Sequence, residues 1–266
     1  MKAVVLCAGL GSRLGNLTKA IPKPMLPLNG KPLLAYTLNY LARFDIREIA
    51  VNLHFFPEQI MDYFKDGYSY GVHLHYSHEE KLLGTAGALV KLFPWLAGED
   101  EFLVLYGDIL TDQDISLLID KHLKERSFAT LLLHKRKKSN SIVKMDDSSR
   151  ITCFEERPSE GKRKYLLKDN GEVWVNSGMQ VLSKRALDYI VKINAFDLPR
   201  DVYCRVIESE QISGVPLIGY RAAIDSPHRY HEAEQAIKRG DYKYSPYLSQ
   251  SAQRHRECYT AQLAVV

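Results

Sequence analysis

The 266 residues carry a net charge of +4, and 45% of them are hydrophobic against 26% charged. That balance is ordinary for a soluble globular protein with a sizeable core, and the length fits one large domain, or one domain with a small appendage. The charge excess is too small to demand a polyanionic partner. The densest basic cluster, Lys135-Arg136-Lys137-Lys138, reads as a solvated loop between strands, with no DNA- or RNA-binding motif beside it.

In chain order, a strand at 2–7 precedes a helix at 32–43, and a strand at 48–53 precedes a helix at 57–64. A strand at 72–76 then leads to a helix at 85–95, and one at 101–106 to a helix at 115–126 and a further strand at 129–134. Strands alternating with helices of this length predict an α/β, Rossmann-like, doubly wound and mostly parallel sheet. The second half is richer in strands, at 142–145, 151–154, 173–182 and 218–224, with helices at 184–193, 200–209 and 227–238. These suit antiparallel additions to the sheet. The expected organisation is a single domain over 1–240, in two halves, to about 130 and over 131–240. Residues 159–170 read as a charged, mobile loop. Residues 241–266 are polar and aperiodic and read as a frayed or disordered tail. No internal repeat is present.

The four cysteines, Cys7, Cys153, Cys204 and Cys258, form no metal-binding spacing. The opening apolar run is too short for a signal peptide or a membrane span. A reducing cytoplasm is the expected location. His54, His73, His75 and His78 show no ligand spacing.

The chemistry concentrates at the end of the first strand. Ala3-Val4-Val5-Leu6-Cys7 runs into Ala8-Gly9-Leu10-Gly11-Ser12-Arg13-Leu14, with Pro22-Lys23-Pro24 soon after. Glycines let a backbone approach a ligand and present its N–H groups. With Arg13 and Lys23 nearby they make an anion site suited to a phosphate chain. A dinucleotide fingerprint is excluded by Leu14, and a P-loop by Pro32 after Gly30-Lys31. Gly107-Asp108 closes another apolar strand. In doubly wound sheets ligands bind beyond the carboxyl ends of strands, where both Gly9 and Asp108 are expected. An aspartate so placed suits Mg²⁺. Asp112 and Asp114 lie nearer the next helix start and suit capping.

Further segments follow in order: Leu83-Gly84-Thr85-Ala86-Gly87-Ala88, Phe154-Glu155-Glu156-Arg157-Pro158, Asn176-Ser177-Gly178 and Ile224-Asp225-Ser226-Pro227-His228-Arg229-Tyr230. With the opening motif and Gly107-Asp108, the set resembles the sugar-1-phosphate nucleotidylyltransferases over about residues 1–240. It is most similar to short forms related to mannose-1-phosphate and heptose-1-phosphate guanylyltransferases. The resemblance implies the nucleotide-diphospho-sugar transferase fold without the β-helix domain of longer relatives. It implies attack of a sugar-1-phosphate on the α-phosphate of a nucleoside triphosphate, with release of pyrophosphate. GTP is the first expectation for the triphosphate, with CTP, UTP and dTTP as alternatives. Homo-oligomers are compatible with it.

The same resemblance assigns roles. Arg13 and Lys23 are catalytic. Leu6, Ala8, Gly9, Gly11, Ser12, Gly84 and Thr85 contact the nucleotide. Gly107, Glu156, Arg157, Asn176 and Gly178 contact the sugar phosphate. Asp108 and Asp225 hold Mg²⁺. The chain departs from the family pattern at Ala223, where relatives carry the usual acid, at Leu82 in place of a proline, and at Arg157 in place of a lysine. Asp225 therefore reads either as the second metal ligand or as part of a helix cap, which Ser226 before Pro227 already supplies. Two other functions stay open. One is a nucleotide-sugar glycosyltransferase, for which Asp112-Gln113-Asp114 is a superficial Asp-x-Asp match. The other is a non-catalytic regulatory homologue, which Ala223 would suit.

Overall fold

The computed structural model describes residues 1–137, 139–162 and 172–244. Lys138, residues 163–170 of the charged loop with Gly171, and residues 245–266 of the expected tail, Cys258 among them, lie outside the described residues.

The elements in chain order are β1 (Lys2–Leu6), β2 (Pro27–Leu28), β3 (Lys31–Pro32), α1 (Leu33–Arg43), β4 (Glu48–Leu53), α2 (Pro57–Phe64) and β5 (His73–His78). Next come α3 (Gly84–Lys91), α4 (Phe93–Leu96), β6 (Glu101–Tyr106), β7 (Ile109–Thr111), α5 (Ser116–Glu125), β8 (Ala129–Arg136), β9 (Ser141–Met145) and β10 (Ile151–Glu156). The last are β11 (Val173–Ser183), α6 (Lys184–Lys192), α7 (Cys204–Val206), β12 (Ile212–Pro216), β13 (Arg221–Ala223) and α8 (Pro227–Arg239). No helix among the described residues is long and apolar enough to cross a membrane.

By contact the chain divides into two compact units. The first takes Met1–Leu82, Tyr106–Gln113 and the chain from Gly219, and the second takes Leu83–Leu105 and Asp114–Ile218. The division is discontinuous in sequence. The chain re-enters the first unit at Tyr106 and again at Gly219 to lay β7 beside β13.

In the first unit β1, β4 and β5 run parallel, with Val5 opposite Val51 and Val51 opposite Tyr76. Ala3, Val4 and Val5 are wholly buried. This is the continuous apolar run that a parallel strand covered on both faces requires. β13 pairs antiparallel with β7, placing Ala223 opposite Ile109. Helix α8 begins with Ser226, whose hydroxyl accepts from the Arg229 N–H, and Pro227; it ends at Gly240, with φ +83°. That is the expected asymmetry of proline at the start and glycine past the end.

A core of this unit gathers Leu14, Leu26, Leu28, Leu33, Tyr36, Leu110, Ile224, Tyr230 and Tyr242. Tyr242, expected in the tail, is buried, and its ring meets Tyr36 edge-on at 5.7 Å. A single large aromatic ring can anchor a polar segment that periodicity alone reads as free.

The second unit is built around β11, antiparallel to both β6 and β8, while β12 lies parallel to β8. β9 and β10 form an antiparallel pair. Three expected elements differ. The helix over 85–95 breaks between α3 and α4, because Pro94 lacks the N–H an uninterrupted helix needs. The strand at 218–224 is replaced by β12 and β13; Gly214 and Pro216 hide β12 from a pattern search. The helix over 200–209 is a π-helical turn, Leu198–Tyr203, running into α7. Lys135 and Arg136 end β8 instead of lying in a loop, and the Lys135 ammonium sits 5.1 Å from the centre of the Trp174 ring.

The Tyr242 anchor is testable. Tyr242→Ala should lower unfolding free energy by about 3 kcal/mol, the range for emptying a buried aromatic site. Its buried hydroxyl has no partner among the described residues. Tyr242→Phe should therefore cost nothing, because it removes an unsatisfied polar group. Urea denaturation of both variants measures the contrast.

Candidate active site

In the first unit the loop after β1 is tied at both ends. At its start the Gly107 N–H donates to the Leu6 carbonyl at 2.8 Å, and the Cys7 N–H donates to Asn52 Oδ1 at 2.6 Å. At its far end Gly11 turns with φ +66°, and its carbonyl accepts from the Leu14 N–H at 2.9 Å and the Thr18 hydroxyl at 3.0 Å. Between these ties Ala8 is buried, while Gly9 and Leu10 are exposed. Ser12 and Arg13 open the 3-10 helix Ser12–Thr18, and the Arg13 side chain is 80% exposed.

Gly107 has a packing reason. A Cβ there would run into Cys7 Sγ and lie 2.8 Å from the Leu6 carbonyl oxygen. The bare backbone brings Gly107 against the end of β1, which sets Asp108 at the loop. Burial pushes the Cys7 thiol well above its ordinary pKa, with the nearby Asp108 charge adding to the effect. Cys7 is thus an inert filler, not a nucleophile.

Lys23 heads the short 3-10 turn Lys23–Met25, flanked by Pro22 and Pro24, whose fixed φ angles stiffen it. Its side chain is only 12% exposed, and Nζ lies 2.6 Å from Asp108 Oδ2. The Ile224 N–H donates to the Asp108 carbonyl at 2.8 Å, so the chain entering Asp225 runs beside Asp108. Ser226 caps α8 and leaves the Asp225 carboxylate to other partners. Those are Arg229 Nη1 at 2.8 Å and Arg13 Nη1 at 3.5 Å. The first unit thus gathers Arg13 with Asp225, and Lys23 with Asp108.

Sequence reasoning missed Arg229. Its signal is the Asp225–Arg229 spacing of four residues across a helix start. It also missed the buried pair Asn52 and Glu79, since Glu79 reads as part of an acidic run ahead of Gly84. The Asn52 amide nitrogen lies 2.8 Å from Glu79 Oε1.

The donor set can be matched to a hard cation. Asp108 keeps Oδ1 without a hydrogen bond among the described residues, and its side chain is 28% exposed. Both Asp225 oxygens are ion-paired. Carboxylate oxygens are the donors Mg²⁺ prefers, so Asp108 fits as a holding group. Asp225 fits as a second holding group while it also meets the two arginines, because each carboxylate oxygen accepts more than one contact. No group of three or more His, Cys, Asp or Glu among the described residues forms a ready metal cluster.

Asp112 is excluded from the Asp-x-Asp role. It is buried, with Oδ1 accepting from the Tyr220 N–H at 2.6 Å and Oδ2 from the Lys243 N–H at 3.0 Å. Asp114 accepts from the Ser116 N–H and hydroxyl at 2.9 and 2.6 Å, the helix-start role expected of it.

The second unit holds the other expected residues. Gly84, at φ +75°, passes so close to the Phe196 carbonyl that an added Cβ would collide with it. That carbonyl accepts from the Ala86 N–H at 3.0 Å, and the Thr85 hydroxyl accepts from the Leu198 N–H at 2.8 Å. The start of α3 is therefore capped from within its own unit.

Glu156 closes β10; its Oε2 accepts from the Ser141 hydroxyl, and Arg157 follows at φ +51°, a left-handed conformation costly for a side-chain-bearing residue. Asn176 lies where the β11–β8 register shifts, between Asn176 and Gln180. Its Oδ1 accepts from the Gly178 N–H at 2.8 Å, and Gly178 turns at φ +85°.

Gly84→Ala should cost about 1–3 kcal/mol, the scale of overpacking, with the left-handed φ adding strain. Phe196→Ala should not rescue it, because the clash is with the Phe196 backbone carbonyl. Thermal melts of the single and double variants check this.

Residues 2–203 match a nucleotidyl transferase family model. Over 225 residues the chain is 31% identical to a UTP–glucose-1-phosphate uridylyltransferase of Synechocystis, covering 79% of this chain and 56% of that relative. Over 189 residues it is 34% identical to a D-glycero-alpha-D-manno-heptose 1-phosphate guanylyltransferase of Campylobacter jejuni, covering 69% of this chain and 76% of the relative. The structure of HddC from Yersinia pseudotuberculosis complexed with GMP-PN superposes with a TM-score of 0.72 at 22% identity, covering 89% of this chain and 99% of that one. That last likeness shows the expected nucleotide-diphospho-sugar transferase fold. With more than half its length matched by the family model, the chain belongs to the nucleotidyl transferase family.

Proposed function

We propose that this protein joins a nucleoside triphosphate to a sugar-1-phosphate, forming a nucleotide-diphosphate-sugar and releasing pyrophosphate. The observation that carries the reading is the Lys23–Asp108 pair at the end of two apolar strands, beside a glycine loop with exposed backbone. At Gly9 a Cβ would touch nothing within 4 Å. No side chain among the described residues explains that glycine; the close approach of a ligand would.

The reaction needs no covalent bond to the protein. It needs two polyanions held together and their charge neutralised. Asp108 and Asp225 would hold Mg²⁺, which when bound supplies charge neutralisation at phosphate oxygens. Arg13 offers a planar fork for the departing pyrophosphate. Lys23 offers a point charge, already held in place by a stiff turn. The loop from Ala8 to Ser12, following Leu6 and exposed at Gly9 and Leu10, receives the nucleotide. Gly84 and Thr85 border the base and ribose through α3, as a shaped wall rather than as free donors, since the Thr85 hydroxyl is engaged.

Glu156, Arg157, Asn176 and Gly178 receive the sugar phosphate, with Gly107 at the strand end. GTP is the first candidate triphosphate, because relatives include guanylyltransferases, and UTP is next, from the uridylyltransferase likeness. CTP and dTTP complete the set. The site chemistry suits an intracellular enzyme using cytoplasmic nucleotides. The internal engagement of Asp112 speaks against a glycosyltransferase built on Asp-x-Asp.

Purified protein with Mg²⁺ should release pyrophosphate from one member of a matrix of GTP, UTP, CTP, dTTP and ATP against several sugar-1-phosphates. A chelator should abolish that release. Nucleotide binding without turnover anywhere in the matrix would establish the non-catalytic homologue instead. Lys23→Ala and Arg13→Ala should each lower turnover by roughly 10²–10³-fold, the scale of losing one preorganised charge contact. Asp108→Asn and Asp225→Asn should both depress activity and raise the Mg²⁺ requirement. A silent Asp225→Asn would leave Asp225 as an anchor for Arg13 and Arg229 alone.

A further inference from the structure

We infer that Asn52 and Glu79 are positioning residues, which fix the backbone of Cys7 and thereby the shape of the loop that receives the triphosphate. The inference rests on the proposed nucleotidylyl transfer for its functional readout, but its structural part stands on the first unit alone.

Three residues form a chain of hydrogen bonds. The Cys7 N–H donates to Asn52 Oδ1 at 2.6 Å, and Asn52 Nδ2 donates to Glu79 Oε1 at 2.8 Å. Asn52 is 3% exposed and Glu79 is 1% exposed. Asn52 lies in β4 opposite Leu6 and Ser77, between two parallel neighbours. An amide and a carboxylate in such a place are strongly unfavourable unless their hydrogen bonds are made. Apolar residues would fill that interior more cheaply.

What the polar pair supplies is direction. A carboxylate only accepts, so Glu79 obliges Asn52 to present its NH₂ end, which turns the carbonyl end toward β1. Cys7 is the first residue past the end of β1, where the strand ladder stops. Its N–H is held by a side chain in place of the next strand residue. Glu79 is itself anchored, with its N–H donating to the Leu53 carbonyl at 2.7 Å and His54 Nδ1 lying 2.8 Å from its carbonyl oxygen. The loop entrance is thus fixed from two strands away, by residues set back from the exposed backbone at Gly9.

The logic predicts a reciprocal swap. In Asn52→Asp, residue 52 can still accept from Cys7 but faces Glu79 with a second carboxylate. In Asn52→Asp combined with Glu79→Gln, the amide and acid trade places, and the swapped residue 79 can donate to residue 52. The test is amide hydrogen exchange at Cys7, with steady-state kinetics of the full chain in parallel.

In the wild type the Cys7 amide should be protected without ligand. Asn52→Asp should lose that protection and raise the KM for triphosphate about tenfold or more, the scale of a charged hydrogen bond, with the KM for sugar-1-phosphate nearly unchanged. The double variant should recover both. If Asn52→Asp does not fold, the double variant's protection and KM decide the matter alone. An unprotected Cys7 amide in the wild type, or a folded double variant without recovery, overturns the inference. Absence of any turnover in the wild type overturns the proposed reaction, while Cys7 protection still tests the hydrogen-bonded chain.

Discussion

A lysine ammonium set against an aspartate, with the lysine side chain nearly out of solvent, is the constraint around which the first unit is arranged. Removing either partner of such a pair strands the other charge in a poorly hydrated place, which costs far more than an exposed ion pair is worth. The pair therefore demands accurate delivery of both residues. Pro22 and Pro24 stiffen the turn that carries Lys23. Gly107 lets the backbone press against Leu6 and Cys7, and Asp108 follows directly. The β7–β13 ladder then brings the chain past Asp108 toward Asp225.

The second unit solves a different problem with similar residue types. Gly84, Thr85, Asn176 and Gly178 all make internal hydrogen bonds or close approaches that shape backbone. Phe196 supplies its carbonyl to the first N–H groups of α3, and Asp201 in turn accepts from the Phe196 and Asp197 N–H groups at 3.0 and 2.8 Å. Such nested caps leave a loop little freedom. A small residue in a motif can thus serve the ligand through the wall it builds rather than through an atom it offers.

The parts of this architecture that sequence made legible are local. The Ser226-Pro227 start and Gly240 end of α8 follow from short-range backbone chemistry. The buried run of β1 follows from its uninterrupted apolar residues. Asp108 was readable as the residue just past an apolar strand. Its partner was not, because a contact across 85 residues of chain leaves no spacing to read. For the same reason Phe196 gave no hint that it caps α3, and Asn52 looked like an ordinary strand residue. Tyr242 escaped notice because its anchorage is one ring in a distant core. Gly214 and Pro216 concealed β12, whose pairing with β8 comes from the tertiary structure rather than from strand preference.

Under the proposed reaction, the charges of the first unit bear on how a triphosphate arrives. Arg13, Lys23 and Arg229 against Asp108 and Asp225 leave one positive charge in excess. At a physiological screening length of about 8 Å, so small an excess guides a polyanion only at close range. In that reaction the carboxylates would act as placeholders before they take up the metal. They keep the cations apart and oriented while no phosphate is present. An incoming phosphate oxygen can then replace a carboxylate oxygen one partner at a time, and the cationic side chains surrender little further freedom. Capture in such a site is an exchange of partners rather than a long-range pull, so its rate should depend only weakly on salt.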